Sequence, residues 1–99
     1  MAGNPKLKLL SKKFRGQVFE LIEERYTVGR TEDTDICIPD PSISTHHAVL
    51  IYGEDEDFFI QDLGSTNGTR VNGVSSGEEP MALSHGDILQ VGGVEIFYD

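Results

Sequence analysis

Apolar residues along this 99-residue chain recur with a period of two, in short runs, and an apolar face at helical spacing over eleven residues is hard to find. "KLKLLS" alternates from Lys6 to Ser11. "GQVFELIE" sets Val18, Glu20 and Ile22 on one face and Phe19 and Leu21 on the other. "RYTVGR" follows a tight corner at Glu23-Glu24. "DICI", "HAVLIYG", "DFFIQDL", "DILQVGG" and "VEIFYD" are further runs rich in β-branched and aromatic residues. Between them stand "TEDTD", "PDPS", "GEDED", "GSTNG", "VNGVSSGEEP" and "LSHGD", built from turn formers. Short strands with turn signals about every eight to twelve residues predict an all-β domain, a sandwich or a barrel. No repeat or low-complexity segment divides the chain. Residues 1–99 read as one domain, with residues 1–5 as a flexible tail. The chain stops at the end of a strand, as a module of a longer protein would.

Small polar residues crowd one stretch, "GSTNGTRVNG", from Gly64 to Gly73. Asn-Gly suits a two-residue hairpin turn, because both central residues take positive φ. Asn72-Gly73 is predicted to be such a turn, and Asn67-Gly68 is open to the same reading. Ser65 and Thr66 set two hydroxyls beside the second pair. A sharp turn exposes backbone N–H groups, and hydroxyls next to them complete a cup of donors for an anion. Such a cup needs a cation and a second donor loop. Gly29-Arg30 ends a predicted strand, and "DPSISTHHAVL" offers Ser42, Ser44 and Thr45. Two adjacent histidines entering a strand face opposite sides. One of His46 and His47 is therefore expected outside. The other is expected inside, hydrogen-bonded and bracing its own loop.

Charge sharpens the picture. Eight Lys and Arg face seventeen Asp and Glu, for a net charge of −9. Lys6, Lys8, Lys12, Lys13 and Arg15 fall in the first fifteen residues, which hold no acid; the remainder carries three bases, Arg25, Arg30 and Arg70. A body that acidic disfavours nucleic acid as a partner. Any anion must be held by local geometry, against the global field. No run of about 18 apolar residues exists for crossing a membrane, and the N-terminus does not read as a secretory leader. The one cysteine, Cys37, has no internal disulfide partner. It is expected to be a buried, inert thiol in a cytoplasmic, reducing setting. Adjacent histidines lack the i, i+2 spacing of zinc ligands on one strand face. "EDED", Glu54 to Asp57, lacks the alternating oxygens and the glycine of a calcium loop. No metal or cofactor is expected.

Four motifs now stand in order: Gly29-Arg30, Ser44-x-x-His47, Asn67-Gly68-Thr69 and Val71-Asn72-Gly73. With the Gly-Asp turn of "LSHGDILQVGG", the chain from Tyr26 to Tyr98 resembles the forkhead-associated (FHA) domain family. The resemblance implies a β-sandwich of about eleven strands with ligand-binding loops at one end. It implies noncatalytic recognition of phosphothreonine in partner proteins, downstream of a Ser/Thr kinase. It assigns phosphate contacts to Arg30, Ser44, Thr45 and Thr66, and the ligand main chain to Asn67. Gly29, His47, Gly68, Asn72 and Gly73 become structural supports of the site, and Ser65 an additional phosphate contact. Arg suits the task because its planar fork donates two parallel hydrogen bonds and keeps its charge. One departure stands out: Thr45 occupies the place of a basic residue common in the family, and His46 follows it. The acidic loops at Glu54–Asp57 and Gly77–Glu79 read as solvated tips that would also favour basic residues in a ligand.

Two other classes fit parts of the pattern. Ser44, His47 and Asp62 can be written as a hydrolase triad, though no Ser lies in a nucleophile elbow. An FHA-like fold could also serve phosphate-independent assembly through a sandwich face, with the basic N-terminal segment as a docking arm.

Overall fold

The computed structural model describes residues 3–99, and these build two stacked sheets. The strands are β1 Lys6–Leu9, β2 Val18–Glu20, β3 Arg25–Gly29, β4 Ile36–Cys37, β5 Ala48–Tyr52, β6 Phe58–Asp62, β7 Thr69–Val71, β8 Val74–Ser76, β9 Met81–Ala82, β10 Ile88–Val91 and β11 Val94–Tyr98. A 3-10 turn, Lys12–Phe14, links β1 to β2. One sheet runs β2-β1-β11-β10-β7-β8 and the other β4-β3-β5-β6-β9. Pairings are antiparallel except β3 with β4, where Val28 is opposite Ile36. The expected all-β sandwich of eleven strands is what forms.

Period-two burial sorts the side chains. Leu7 and Leu9 of β1, Phe58 and Ile60 of β6, Leu89 and Val91 of β10, and Ile96 and Tyr98 of β11 point into the space between the sheets. In β2 the expected split holds: Leu21 just beyond it is buried, while Val18 and Ile22 are 51 % and 66 % exposed. β5 departs from alternation, because Ala48, Val49 and Leu50 are all buried. It lies in the middle of its sheet, with His47 continuing the buried run. Pro5 is also buried, and its carbonyl accepts from Leu21 N–H at 2.8 Å. Residues 1 and 2 of the expected tail lie outside the described residues. Cys37 corrects an expectation: it is only half-buried, and its thiol lies 3.4 Å from the Arg30 carbonyl.

Tyr98 ties the sheets together. Its hydroxyl donates to Asp57 Oδ1 at 3.0 Å and accepts from Phe58 N–H at 3.1 Å. Burial, reinforced by the Asp57 carboxylate, pushes the phenol above its ordinary range, against the pull of the Phe58 N–H. An unfolded tyrosine ionises near pH 10, where the folded one stays neutral. Its share of stability is therefore complete below that pH and is lost as pH rises above it. Melting temperature is expected to fall more steeply above about pH 10 in the wild type than in Tyr98→Phe. Parallel slopes for the two proteins would contradict this.

Candidate functional site

The ends of β3 and β6 and the start of β5 lie at one end of the sandwich. Arg30 leaves β3 there, the 40–47 loop enters β5, and the 63–68 loop leaves β6. Between them is a groove of about 450 Å³, lined by Arg30, Pro41, Ser42, Ile43, Ser44, Thr45, His46, Thr66 and Asn67. All five residues expected to touch the ligand, Arg30, Ser44, Thr45, Thr66 and Asn67, meet here. A second depression of about 400 Å³ opens at the opposite end. It is lined by Glu23, Glu24, Asp55, Glu56 and Asp57, so it repels the same anion.

His47 organises the groove from below. It is wholly buried. Its Nδ1 lies 3.0 Å from Ser44 N–H, and its Nε2 lies 2.9 Å from the Gly68 carbonyl. An amide N–H only donates and a carbonyl only accepts, so the partners assign the proton to Nε2. One ring thus spans the two donor loops and sets their separation. His46, the outward member of the pair, has Nε2 at 3.1 Å from Asp33 Oδ2. Hydrogen bonds from the Thr31 hydroxyl and from His46 hold the Asp33 carboxyl below its usual range.

The glycines divide by role. A Cβ on Gly29 would stand 2.1 Å from the Thr45 carbonyl oxygen and 2.7 Å from Thr34 Cγ2, so only glycine lets the 40–47 loop close on β3. That contact is sealed by Arg30 N–H donating to the Ser44 carbonyl at 3.1 Å. Gly68 has open space around it but φ of +82°, so the backbone requires it rather than the packing. Asn67 does not share that positive φ, whereas Asn72 and Gly73 both have it, at 51° and 83°. Asn72-Gly73 therefore makes the predicted hairpin turn, while Asn67-Gly68 makes a different one. The hairpin turn also sits at the far end of β7 from the groove. There Asn72 Nδ2 donates to Asp87 Oδ1 at 2.9 Å and Asn72 Oδ1 accepts from Ile88 N–H at 2.9 Å. Asn72 and Gly73 therefore support the hairpin, and their expected role under the site is corrected.

Hydrogen bonding separates committed groups from free ones. Ser44 Oγ accepts from Thr66 N–H at 3.0 Å, which leaves its own proton to donate. Asn67 spends one amide N–H on the Ser42 carbonyl at 2.8 Å and keeps its oxygen and second N–H. Thr45 N–H and the Thr66 hydroxyl have no protein partner among the described residues. The Arg30 guanidinium is exposed. It makes one long contact, 3.4 Å to Thr45 Oγ1, and no ion pair among the described residues. Ser65, by contrast, is used up: its hydroxyl donates to Asp62 Oδ1 at 2.6 Å and accepts from Gly68 N–H at 2.9 Å.

Several supporting residues carried no clear sequence signal. Asp62 accepts from Gly64 N–H and Ser65 N–H, each at 2.9 Å, and from Thr69 Oγ1 at 2.7 Å, which fixes the turn that carries Thr66 and Asn67. Burial opposes its ionisation, but the Ser65 and Thr69 hydrogen bonds outweigh that and hold its carboxyl below the usual range. The Gly92-Gly93 turn packs under the other loop. Gly93 N–H donates to Ser42 Oγ at 2.8 Å, and a Cβ on Gly92 would stand 2.3 Å from the Ser42 carbonyl oxygen. Asp40 accepts from both Ser42 N–H and Ser42 Oγ, the Asx pattern that "DPS" allows. The hydrolase triad does not assemble: His47 Nδ1 takes the Ser44 backbone N–H and not its hydroxyl, and Asp62 Oδ1 is 3.8 Å from Nε2.

Comparison with known proteins bears on the family and the fold. The sequence pattern of the FHA domain matches residues 26–92. The oxoglutarate dehydrogenase inhibitor of Corynebacterium jeikeium is 36 % identical over 77 residues, 78 % of this chain and 51 % of that protein. The chain thus spans about half the length of that relative. The FHA domain of the CT664 protein from Chlamydia trachomatis superposes with a TM-score of 0.87 at 34 % identity, covering 97 % of this chain and 96 % of that one. An FHA domain studied for its phosphothreonine-dependent interactions superposes with a TM-score of 0.83 at 28 % identity, covering 97 % and 95 %. With the family pattern matched over residues 26–92 and the two-sheet fold superposing on FHA domains, the chain belongs to the FHA domain family.

Proposed function

We propose that this domain binds phosphothreonine in partner proteins, without catalysis. Arg30 meets the phosphate oxygens with its guanidinium. Ser44 and Thr66 donate their hydroxyls, Thr45 its backbone N–H, and Asn67 holds the ligand main chain with its remaining amide groups. The observation that carries this reading is Arg30. In a chain of net charge −9 its guanidinium has no carboxylate partner among the described residues, and it stands at the mouth of a groove with uncommitted donors. An arginine in that setting is poised for a bidentate anion. The ligand is the product of a Ser/Thr kinase, which with the free Cys37 fits a reducing, cytoplasmic setting.

Titration with one peptide pool in three forms tests the proposal. Phosphothreonine should bind tightest. Phosphoserine should be weaker by roughly 1–3 kcal/mol, the worth of one well-seated methyl. Bare threonine should not bind measurably, and the phosphopeptide should be recovered intact. Equal binding of the bare form would instead favour phosphate-independent assembly. Affinity is also expected to drop as pH falls below about 6, where phosphate loses its second charge. Binding that strengthens steadily toward pH 5 would contradict this.

A further inference from the structure

Positive charge in this chain is segregated: five of eight Lys and Arg precede Gly16, in a stretch without an acid. Lys6 and Lys8 belong to β1, and Lys8 pairs with Asp99 at 3.0 Å. The other three, Lys12, Lys13 and Arg15, stand on or beside the 3-10 turn between β1 and β2. That turn is anchored. Phe14 is buried, its N–H donates to the Ser11 carbonyl at 2.9 Å, and Ser11 Oγ accepts from Glu95 N–H at 2.9 Å. The three basic side chains remain outside. Among the described residues Lys12 and Arg15 have no carboxylate in ion-pair range, and Lys13 has only Asp40, at 3.9 Å.

The Asp40 contact places this turn beside the groove. The carboxylate that Lys13 approaches with one oxygen holds Ser42 with the other, at 2.6 Å from Ser42 Oγ. Ser42 lines the groove, and its carbonyl takes the Asn67 amide. Lys13 is thus one carboxylate away from the groove wall. The opposite flank is unlike it: there His46 faces Asp33, with Glu32 next in sequence. Beyond Asp40 on one flank of the groove thus stands a basic turn, and on the other flank stand Asp33 and Glu32. An extended ligand advances about 3.3 Å per residue, so residues within about five positions of the phosphothreonine, on the Pro41–Ser42 side, pass the basic turn.

Resting on the phosphothreonine reading above, we propose that Lys12, Lys13 and Arg15 form an electropositive subsite that selects ligands with Asp or Glu a few residues to one side of the phosphothreonine. The acidic body repels an acidic flank of the ligand, and a basic turn beside the groove offsets that repulsion where the flank docks.

The test uses the whole chain and peptide pools with a fixed phosphothreonine and degenerate flanks. One Asp is fixed in turn at each of five positions on either side. Asp on one side only should tighten binding by about three- to tenfold, with the gain shrinking as salt rises. The triple variant Lys12→Gln, Lys13→Gln, Arg15→Gln should melt with the parent, bind the unbiased phosphothreonine pool as before, and lose the gain from Asp. A gain that survives in the variant, or that is equal on both sides, overturns the inference. So does a variant that weakens acidic and unbiased pools alike. A wild type that binds the phosphothreonine pool but gains nothing from Asp sinks this inference alone; one indifferent to phosphorylation sinks both. Phosphatidylserine vesicles should not bind, and capture by them that the variant abolishes would reassign the turn to a membrane surface.

Discussion

Arg30→Ala weakens binding of a phosphothreonine peptide by about 2–5 kcal/mol, roughly 30-fold to a few thousandfold. The size follows from what stays behind: a dianion facing neutral donors inside an acidic protein. Each charge-assisted hydrogen bond is worth about 1.5–3 kcal/mol, and a guanidinium fork can make two at once. The fold should be indifferent. The guanidinium is exposed and, among the described residues, makes only the 3.4 Å contact to Thr45 Oγ1. The main-chain bond from Arg30 N–H to the Ser44 carbonyl survives in alanine. Melting should therefore change by no more than about 0.5 kcal/mol. Arg30→Lys should fall between the two, since an ammonium keeps the charge but not the fork. Calorimetric titration beside a thermal melt separates these effects. If the alanine variant binds like the parent, the phosphate is held elsewhere.

Gly29→Ala has the opposite signature, damaging fold and site together. The added Cβ meets the Thr45 carbonyl oxygen at 2.1 Å, and that oxygen belongs to backbone that cannot swing aside. Overpacking of this kind costs typically 1–3 kcal/mol and occasionally more. In a domain of this size that corresponds to a melting temperature lower by roughly 5–20 °C. The relief route is outward movement of the 40–47 loop, which would strain the Ser44 N–H to His47 Nδ1 bond and displace the Ser44 hydroxyl. Phosphopeptide affinity should therefore fall as well, although Gly29 touches no ligand. Gly68→Ala is the control: its Cβ meets nothing, so the cost is that of a positive φ alone, on the order of 1 kcal/mol. If Gly29→Ala melts with the parent, the close approach of loop and strand is not what holds the site.

Eight of the strands were legible as short runs rich in β-branched and aromatic residues; most set one face against the core, and β5 buries both. β7, β8 and β9 were not. Thr69–Val71, Val74–Ser76 and Met81–Ala82 are two or three residues long and mixed in polarity, and "VNGVSSGEEP" reads locally as turn. They are strands because of their partners: Thr69 lies opposite Val91 and Ser76, and Met81 opposite Ile60. The 3-10 turn at Lys12–Phe14 escaped for a related reason, since burial of Phe14 under the sandwich holds it. Cys37 misled because an apolar alternating neighbourhood does not reveal that a two-residue edge strand leaves one flank open.

Residue chemistry alone pointed to the donor set, to Arg30 as one of three bases after Arg15, and to the family pattern, since these depend on side-chain type and order along the chain. It also established that one of two adjacent histidines must turn inward, because strand geometry alternates faces. Only the folded chain decided which donors remain available. Ser65 and half of the Asn67 amide are consumed internally, Ser44 keeps its proton because Thr66 N–H takes its lone pair, and Asn72-Gly73 lies at the wrong end of its strand to help. Hydrogen-bond capacity is a local property of a residue, but its allocation depends on neighbours distant in sequence, and those are brought together only by the packing of two sheets.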